Sequence, residues 1–256
     1  MIAAFGMYDR PETAAAHDAL WNLIRNGLRS GGYDGPEALT RGDGAYWPAW
    51  ESPNLLIAQT CGLPYRARLH EKVTLIGTPD YGVEGCAPGY YHSVLVARRS
   101  DPRQTEAAFS SAALAYNEPL SQSGWAAVYH HFQNLGLPLH PALASGSHRA
   151  SAMAVAEGAA DFAAIDAVTW RLLERYDGLG DQLKVFARTR PTPGLPLITA
   201  RAAQAEALFD VVSQAIAALH TDHRHNLGLH GLVRIPPRAY LAQPIPPAPA
   251  QKTGAP

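Results

Sequence analysis

The strongest fold signal in this sequence lies in one stretch, Asn117-Glu118-Pro119-Leu120-Ser121-Gln122-Ser123-Gly124-Trp125. It follows a short apolar run, 112–116, and precedes a predicted helix at 125–135. Its serines and glycine therefore lie where a strand is followed by a helix. A helix start leaves backbone N–H groups without intrahelical partners and carries partial positive charge. The serines can therefore cap the helix, or they can help to bind an oxyanion such as phosphate or carboxylate.

Strand and helix signals alternate around this stretch. Each of three apolar runs is followed by a helix signal, and a fourth run closes the series: 112–116 and 121–135, 139–144 and 147–157, 162–165 and 166–176, then 182–187. This alternation predicts a mostly parallel sheet with helices on its faces. Earlier apolar runs, together with a helix at 202–220 that is apolar on one face, predict a second α/β lobe.

We predict an α/β fold of two lobes, each a mostly parallel sheet flanked by helices, joined by two crossover segments. Lobe 1 comprises residues 1–98 and 190–235, and lobe 2 comprises residues 99–189. A charged Asp-Pro segment and a Pro-rich segment mark the two crossovers. Residues 236–256 hold seven of the 21 prolines, so we expect a flexible tail there.

The composition excludes several classes of function. The chain has 256 residues, of which 47% are hydrophobic and 17% charged, and this is typical of a globular protein. Its net charge of −1, with no basic block, argues against a nucleic-acid partner. No run approaches the roughly 20 apolar residues that a membrane-spanning helix needs. The first residues lack the features of a signal peptide, so we expect either a mature exported chain or a cytoplasmic protein.

Polar turns at the strand ends of lobe 2 are the best candidate site. Ligands of parallel sheets bind beyond the C-terminal ends of the strands. Three such turns carry Ser121, Ser123 and Gly124, then Ser147 and His148, then Asp166. Each turn can simply cap a helix, but together their hydroxyls, imidazole and helix starts suit an anionic group. The carboxylate can accept a hydrogen bond from an amine or a protonated phosphoryl oxygen.

Aromatic and polar side chains also lie at the strand ends of lobe 1. The candidates are Tyr8, Trp47, Thr60 and Tyr81. Aromatic rings suit the organic part of a small ligand. The alternative for each ring is packing in the core or between lobes.

Catalytic and metal sites have less support in the sequence. There is no G-x-S-x-G motif, and the adjacency of Ser147 and His148 does not by itself create a serine–imidazole pair. No local motif marks Cys61 as a nucleophile. The histidines at 220, 223, 225 and 230 follow a helix, where histidine has an electrostatic role, so we expect no metal site. Cys61 and Cys86 can form one disulfide in an oxidising compartment or remain thiols in the cytosol.

Six segments, in this order, resemble the PhnD-like family of phosphate, phosphite and phosphonate substrate-binding proteins of ABC importers. They are Gln59–Tyr65, Tyr90–Val96, Ser121–Gly124, Gly146–His148, Gly158–Asp166 and Pro193–Pro196. The resemblance implies a type II periplasmic-binding fold whose two lobes close by a hinge around a small oxyanion in the interlobe cleft. It also implies a periplasmic or extracytoplasmic location, an ABC permease as partner, a monomer, no cofactor and no catalysis.

The resemblance also implies roles for individual residues. Ser121, Ser123, Gly124 and His148 would hold the phosphonate oxygens, and Asp166 would be the acidic contact. Aromatic contacts would come from lobe 1, with Tyr8, Trp47, Tyr65 and Tyr81 as candidates. Trp125, directly after the glycine, either narrows the pocket or packs beneath it. Relatives with a cysteine in each of two lobe 1 loops suggest a Cys61–Cys86 disulfide.

Two alternatives share this scaffold. The first is a cytoplasmic protein that senses a metabolite, which the absence of a signal peptide favours. The second is an enzyme that acts on a small molecule, for which His148 and Cys61 would be the residues to test.

Overall fold

The structure is a computed structural model that describes residues 1–250. The strands of the described residues are β1 Ile2–Ala4, β2 Leu55–Gln59, β3 Thr74–Asp80, β4 Tyr90–Tyr91, β5 Ser93–Arg98, β6 Ala113–Tyr116, β7 His140–Ala144, β8 Phe162–Asp166, β9 Leu183–Arg188, β10 Thr192–Pro193, β11 Leu197–Thr199 and β12 Gly231–Val233. The α-helices are α1 Pro11–Ser30, α2 Trp47–Trp50, α3 Gly62–Pro64, α4 Ala127–Asn134, α5 His148–Ala156, α6 Ala167–Asp177, α7 Leu179–Gln182, α8 Ala205–Ala218, α9 Thr221–Leu227 and α10 Pro237–Leu241. Short 3-10 helices lie at Gly42–Ala45, Glu106–Phe109 and Ala202–Gln204, and π-helical turns at Tyr65–Leu69 and Gln122–Ala126.

The chain divides into two compact units. Unit 1 consists of Met1–Tyr90 and Pro193–Gln243, and unit 2 consists of Tyr91–Thr192 and the described residues from Pro244. Strand β5 belongs to the sheet of unit 2, where it pairs with β8 and β9, although the sequence assigned it to lobe 1. That assignment was wrong because an apolar run shows that a strand is buried but not which sheet it joins.

The sheet of unit 2 has the strand order β7-β6-β8-β5-β9. Strand β6 runs parallel to β7 and β8, as the alternating pattern predicts, and α4, α5 and α6 follow β6, β7 and β8. The C-terminal ends of these three strands therefore lie at one edge of the sheet. Strand β5 runs antiparallel to β8 and β9, so the sheet is mixed and not mostly parallel as predicted. Alternating strand and helix signals indicate parallel strands only where a helix connects neighbouring strands, and β5 and β9 enter the sheet without such a connection.

Unit 1 contains a second five-stranded mixed sheet, in the order β1-β2-β11-β3-β12. Strands β1 and β2 are parallel, whereas β11 runs antiparallel to β2 and β3. Helix α8 buries Leu208, Val212 and Ile216 in the core of this unit. These residues recur at intervals of four, so the predicted apolar helix face is confirmed.

Residues 237–250 are part of the folded structure, contrary to the predicted flexible tail. Helix α10 buries Tyr240, which is 1% exposed. The Tyr240 hydroxyl lies 2.6 Å from Thr78 Oγ1, and its ring packs edge-on to Tyr65. High proline content lowers helix propensity, but one buried aromatic side chain fixes this short segment in the core. Residues 251–256 of the predicted tail lie outside the described residues.

The structure does not contain the disulfide that the resemblance suggested. Cys61 and Cys86 are both thiols here. A disulfide requires Cα atoms within about 7 Å and suitably directed Cβ atoms, and sequence spacing does not establish either condition. Burial raises the pKa of the Cys86 thiol, which keeps it protonated at neutral pH.

No helix in the described part of the chain is both long and apolar enough to cross a membrane. The longest, α1, has 20 residues, but it mixes buried apolar positions such as Ile24 with charged ones such as Arg25. It therefore has the character of a helix packed on the surface of a sheet.

Candidate functional site

The turn after β6 forms a capped helix start in unit 2. Ser121 Oγ accepts a hydrogen bond from Gly124 N at 2.9 Å, so the predicted capping role of Ser121 is confirmed. Ala126 N donates to Ser121 O at 3.0 Å, which widens the first turn into the π form before α4 begins. The Ser121 hydroxyl accepts in this cap and still has its own hydrogen to donate to a ligand.

Two backbone hydrogen bonds connect the turns that follow β6 and β7. Ser145 N donates to Tyr116 O at 2.8 Å, and Gly146 N donates to Asn117 O at 2.9 Å. These bonds continue the parallel pairing of the two strands into their turns. As a result, Ser123 Oγ lies 2.8 Å from Nε2 of His148, the first residue of α5. Two of the three predicted polar turns are therefore neighbours.

The space above Gly124 is too small for any side chain. A Cβ atom at this position would lie 1.9 Å from Asn117 Oδ1 and 3.2 Å from His148 Cε1. The Oδ1 atom of Asn117 is itself buried and has no hydrogen-bond partner among the described residues. A buried acceptor without a partner is costly and marks a place where a ligand donor could bind. Asn117 was not among the predicted site residues, although its position directly after β6 was a usable signal.

Strand β5 supports the serine turn through a hydrogen bond from its first residue. Ser93 Oγ donates to the backbone carbonyl of Ser123 at 2.9 Å. The Ser93 N–H in turn donates to Thr189 Oγ1 at 3.0 Å. Sequence reasoning missed both residues as supports of the site, because their role depends on how β5 and β9 pair. The only feature of the sequence that could have indicated this role is the hydroxyl residue next to the end of each strand.

His148 is a neutral hydrogen-bonding group at pH 7. Burial lowers the pKa of its imidazole to about 4, and the nearby Ala164 carbonyl only partly opposes this effect. A neutral imidazole donates from one nitrogen and accepts at the other. His148 therefore orients the Ser123 hydroxyl rather than supplying a fixed positive charge.

This low pKa predicts how stability depends on pH. The folded pKa is about 4 and the ordinary value is 6.5, so between these values the unfolded chain binds the proton more readily. We expect the His148 contribution to be fully present above about pH 6.5 and to be lost as the pH falls toward 4. Thermal unfolding across this range should show a smaller fall in Tm for His148→Gln than for the wild type. Equal falls in the two proteins would contradict the assignment.

The third predicted turn forms a helix cap. Asp166 Oδ1 accepts hydrogen bonds from Val168 N at 2.7 Å and from Thr169 N at 3.0 Å. Asp166 is 2% exposed and pairs with Ser93 in the β5–β8 register, so it lies one strand away from the support of the serine turn. Its contact with a ligand stays a prediction. Ser147 similarly caps α5 through Ala150 N, and it is exposed.

Trp125 packs beneath the serine turn. It is 2% exposed and lies between the rings of Tyr116 and Tyr129, at centroid distances of 5.7 and 5.5 Å. Its indole N–H donates to the carbonyl of Pro247 at 2.9 Å. Of the two interpretations offered for this residue, packing beneath the site is the one seen.

Unit 1 brings some of its predicted aromatic residues together. Tyr8 and Tyr81 meet edge-on with centroids 4.9 Å apart, and Gln59 Nε2 donates to the Tyr81 hydroxyl at 3.1 Å. Thr60 follows Gln59 and is completely buried, and its Oγ1 has no hydrogen-bond partner among the described residues. The hydroxyl, amide and aromatic groups of these four residues are of the kinds that contact small ligands, and a ligand role for them stays a prediction.

Trp47 and Tyr65 lie in a second aromatic group of unit 1. The guanidinium of Arg68 lies 4.6 Å above the Trp47 ring, which also packs against Trp50. Tyr65 is 3% exposed and packs against Tyr240, and burial raises the pKa of its hydroxyl. Core packing accounts for both contacts, and a ligand role for either residue stays a prediction.

The histidines near α9 do not form a metal site with other ligands. Within residues 1–250, no group of three or more His, Cys, Asp or Glu side chains is arranged to hold a metal ion. His220 instead caps α9 by accepting from Asp222 N at 3.3 Å.

A model of one protein family matches residues 54–237 of the 256. The family is described as the phosphonate periplasmic substrate-binding protein of ABC transporters. The matched range contains the serine turn, His148 and Asp166. No curated protein sequence matches the chain significantly.

Several solved structures share the fold of the whole chain. XAC2383 from Xanthomonas citri, bound to ATP, has a TM-score of 0.69 and 15% identity, over 95% of this chain and 94% of that one. PhnD1 from Prochlorococcus marinus, in complex with methylphosphonate, has a TM-score of 0.68 and 15% identity, over 93% and 94%. PA3383 of Pseudomonas aeruginosa, a binding protein component of an ABC phosphonate transporter, has a TM-score of 0.64 and 16% identity, over 94% and 82%. These similarities confirm the type II periplasmic-binding fold.

Proposed function

Because this chain belongs to the phosphonate-binding family of ABC-transporter periplasmic substrate-binding proteins, we propose that it binds a small oxyanion at the serine turn of unit 2. The ligand class is phosphate, phosphite or a phosphonate. The observation that supports this most is the pair of Ser123 Oγ and His148 Nε2, 2.8 Å apart, beside a glycine over which no side chain fits. Small neutral donors beside a helix start can surround an oxyanion closely.

The site supplies donors rather than cations. Ser121 offers a hydroxyl, and Ser123 offers one when His148 Nε2 carries the hydrogen and donates it to Ser123 Oγ. The helix start offers backbone N–H groups and a positive dipole end, and His148 is neutral at pH 7. A ligand P–OH group would match the unpartnered Asn117 Oδ1, which only accepts. A site that pairs every ligand oxygen and hydroxyl discriminates strongly against ions that lack those groups.

The proposal extends to the setting of the protein. The family supplies substrates to ABC permeases in the periplasm, and we propose the same location and partner for this chain, acting as a monomer without cofactor or catalysis. We include hinge closure of the two lobes around the ligand in this proposal, and its support is the family resemblance alone. Small-angle X-ray scattering with and without the ligand tests that part.

Removal of the Ser123 hydroxyl tests the site. We expect Ser123→Ala to raise the Kd for the preferred oxyanion by about 10- to 100-fold, because a hydrogen bond to a charged group contributes roughly 1.5–3 kcal/mol. Isothermal titration calorimetry against phosphate, phosphite, methylphosphonate, ATP and acetate identifies that oxyanion first.

Ser111→Ala is the matched control, because Ser111 is exposed and lies before β6 in the same unit. Its Kd should equal that of the wild type. The proposal fails if no oxyanion of the panel binds the wild type, or if Ser123→Ala binds as tightly as the control.

A further inference from the structure

The segment Pro244–Ala250 has the composition of a polyproline II helix. Four of its seven residues are proline, whose ring fixes φ near −65° and removes the backbone N–H. Such sequences adopt a left-handed helix with three residues per turn and no internal hydrogen bonds. The backbone carbonyls of the segment are therefore available to other partners.

The burial of this segment follows a period of three. Pro246 and Pro249 are buried, whereas the residues between them are exposed. Ile245, before them, is 57% exposed. One face of a polyproline II helix repeats every third residue, so this pattern shows a segment docked along one face.

The receiving surface is a face of the helix that starts at the serine turn. Trp125 and Tyr129 are four residues apart and so lie on the same side of this helix. Together with residues of β7 and the loop before it, they line an open groove of about 460 Å³, and the exposed residues Pro247, Ala248 and Ala250 of the segment form part of its wall. Grooves lined by aromatic residues are the usual receptors for polyproline II segments.

Two side-chain nitrogens contact backbone carbonyls of the segment, and these two carbonyls are three residues apart. Trp125 Nε1 donates to Pro247 O at 2.9 Å, and His130 Nε2 lies 3.3 Å from Pro244 O. The period of the carbonyl contacts thus equals the period of the buried prolines. Both periods are those of a polyproline II helix that contacts its partner along one face.

The docked segment is connected to the candidate site through one residue. Trp125 directly follows Gly124, and its ring also contacts Tyr116, the residue before Asn117. A buried indole N–H needs an acceptor, and Pro247 supplies it. Without the segment, Trp125 would lose both its cover and its acceptor, and the turn on which it packs would lose its support.

We propose that Pro244–Ala250 is a built-in polyproline ligand of unit 2 that positions Trp125 and thereby the oxyanion-binding turn. The positioning part rests on the proposed function. The docking part does not depend on it, and each part has its own measurement.

Paired substitutions in the full chain test the proposal. Pro246→Asp/Pro249→Asp places two charges on the docked face, and Ala242→Asp/Ile245→Asp places the same two charges on an exposed face that does not line the groove. Docking is followed by the indole N–H signal of Trp125 in NMR spectra, identified by its loss in Trp125→Phe. Binding is followed by the Kd for methylphosphonate.

We expect the docked-face variant to shift the Trp125 indole signal and to raise the Kd about fivefold or more, and the exposed-face variant to change neither. A chain that ends at Gln243 should show the same loss, and a synthetic peptide of residues 244–256 should restore its affinity. A chain that ends at Ala250 should bind like the wild type.

Each outcome decides one part of the proposal. An unchanged indole signal in the docked-face variant overturns docking. A shifted signal with an unchanged Kd, or failure of the peptide to restore binding, overturns positioning. If methylphosphonate does not bind the wild type, the same Kd comparison is made with inorganic phosphate. If neither anion binds, the proposed function and positioning both fail, and the indole signal still decides docking.

Discussion

Replacement of Gly124 by alanine is expected to weaken oxyanion binding by at least about 100-fold, or roughly 2.7 kcal/mol. The new Cβ would lie 1.9 Å from Asn117 Oδ1, so the Asn117 side chain must move, and 3.2 Å from the His148 ring. Movement of the His148 ring would in turn disturb its 2.8 Å contact with Ser123 Oγ, the hydroxyl proposed to bind the ligand. Isothermal titration calorimetry with the oxyanion preferred by the wild type measures this loss.

A double variant separates the two causes of that loss. Asn117→Ala removes the atom that the new methyl group would strike, so Gly124→Ala/Asn117→Ala should lose less affinity than the two single losses added together. Gly231→Ala is the control, since a Cβ added at this position in β12 would meet no atom of the described residues within 4 Å. If Gly124→Ala binds as tightly as Gly231→Ala, the ligand does not bind at this turn.

Truncation of Phe162 to alanine is expected to lower the free energy of unfolding by about 3–5 kcal/mol, the usual cost for a buried phenylalanine. Phe162 is completely buried in β8 and packs against Phe109, Phe132 and Phe186, at centroid distances between 5.4 and 6.0 Å. Its removal would leave a cavity surrounded by rigid rings, which cannot close around it. Urea denaturation followed by circular dichroism measures the loss.

Phe186→Ala supplies the comparison within the same cluster. Phe186 lies on the edge strand β9 and is only partly buried, although it stacks on Phe109 with centroids 4.2 Å apart. We expect a clearly smaller loss for this variant, because water can fill the space at the edge of the sheet. A loss for Phe162→Ala no larger than that for Phe186→Ala would contradict this account of the core.

The elements of unit 2 follow closely from local sequence signals. The predicted run at 162–165 and the helix signal after it correspond to β8 and α6, and the predicted cap at Ser121 is present. Apolar periodicity and cap residues act over a few positions, so they remain visible without knowledge of the fold. The neighbouring strand ends also follow, because parallel strands place their C-terminal ends at one edge.

Several site features required the tertiary structure. Asn117 and Ser93 became part of the site only through the packing of their turn and strand against the serine turn. The expected cysteine pairing and, over residues 236–250, the expected flexible tail were wrong for the same reason. Each depended on contacts between residues far apart in the chain, about which local composition carries no information.

For this protein, the sequence by itself determined the α/β alternation, the family and the serine turn at a helix start, because periodicity, capping and motif order are local properties. The tertiary structure decided that β5 joins unit 2, that Gly124 lies against Asn117, and that Trp125 packs beneath the turn with Pro247 as its acceptor. Those outcomes depend on strand pairing and close packing between segments far apart in the chain, since Trp125 and Pro247 are separated by 122 positions. Only the folded chain brings such segments within the few ångströms over which contacts and hydrogen bonds act.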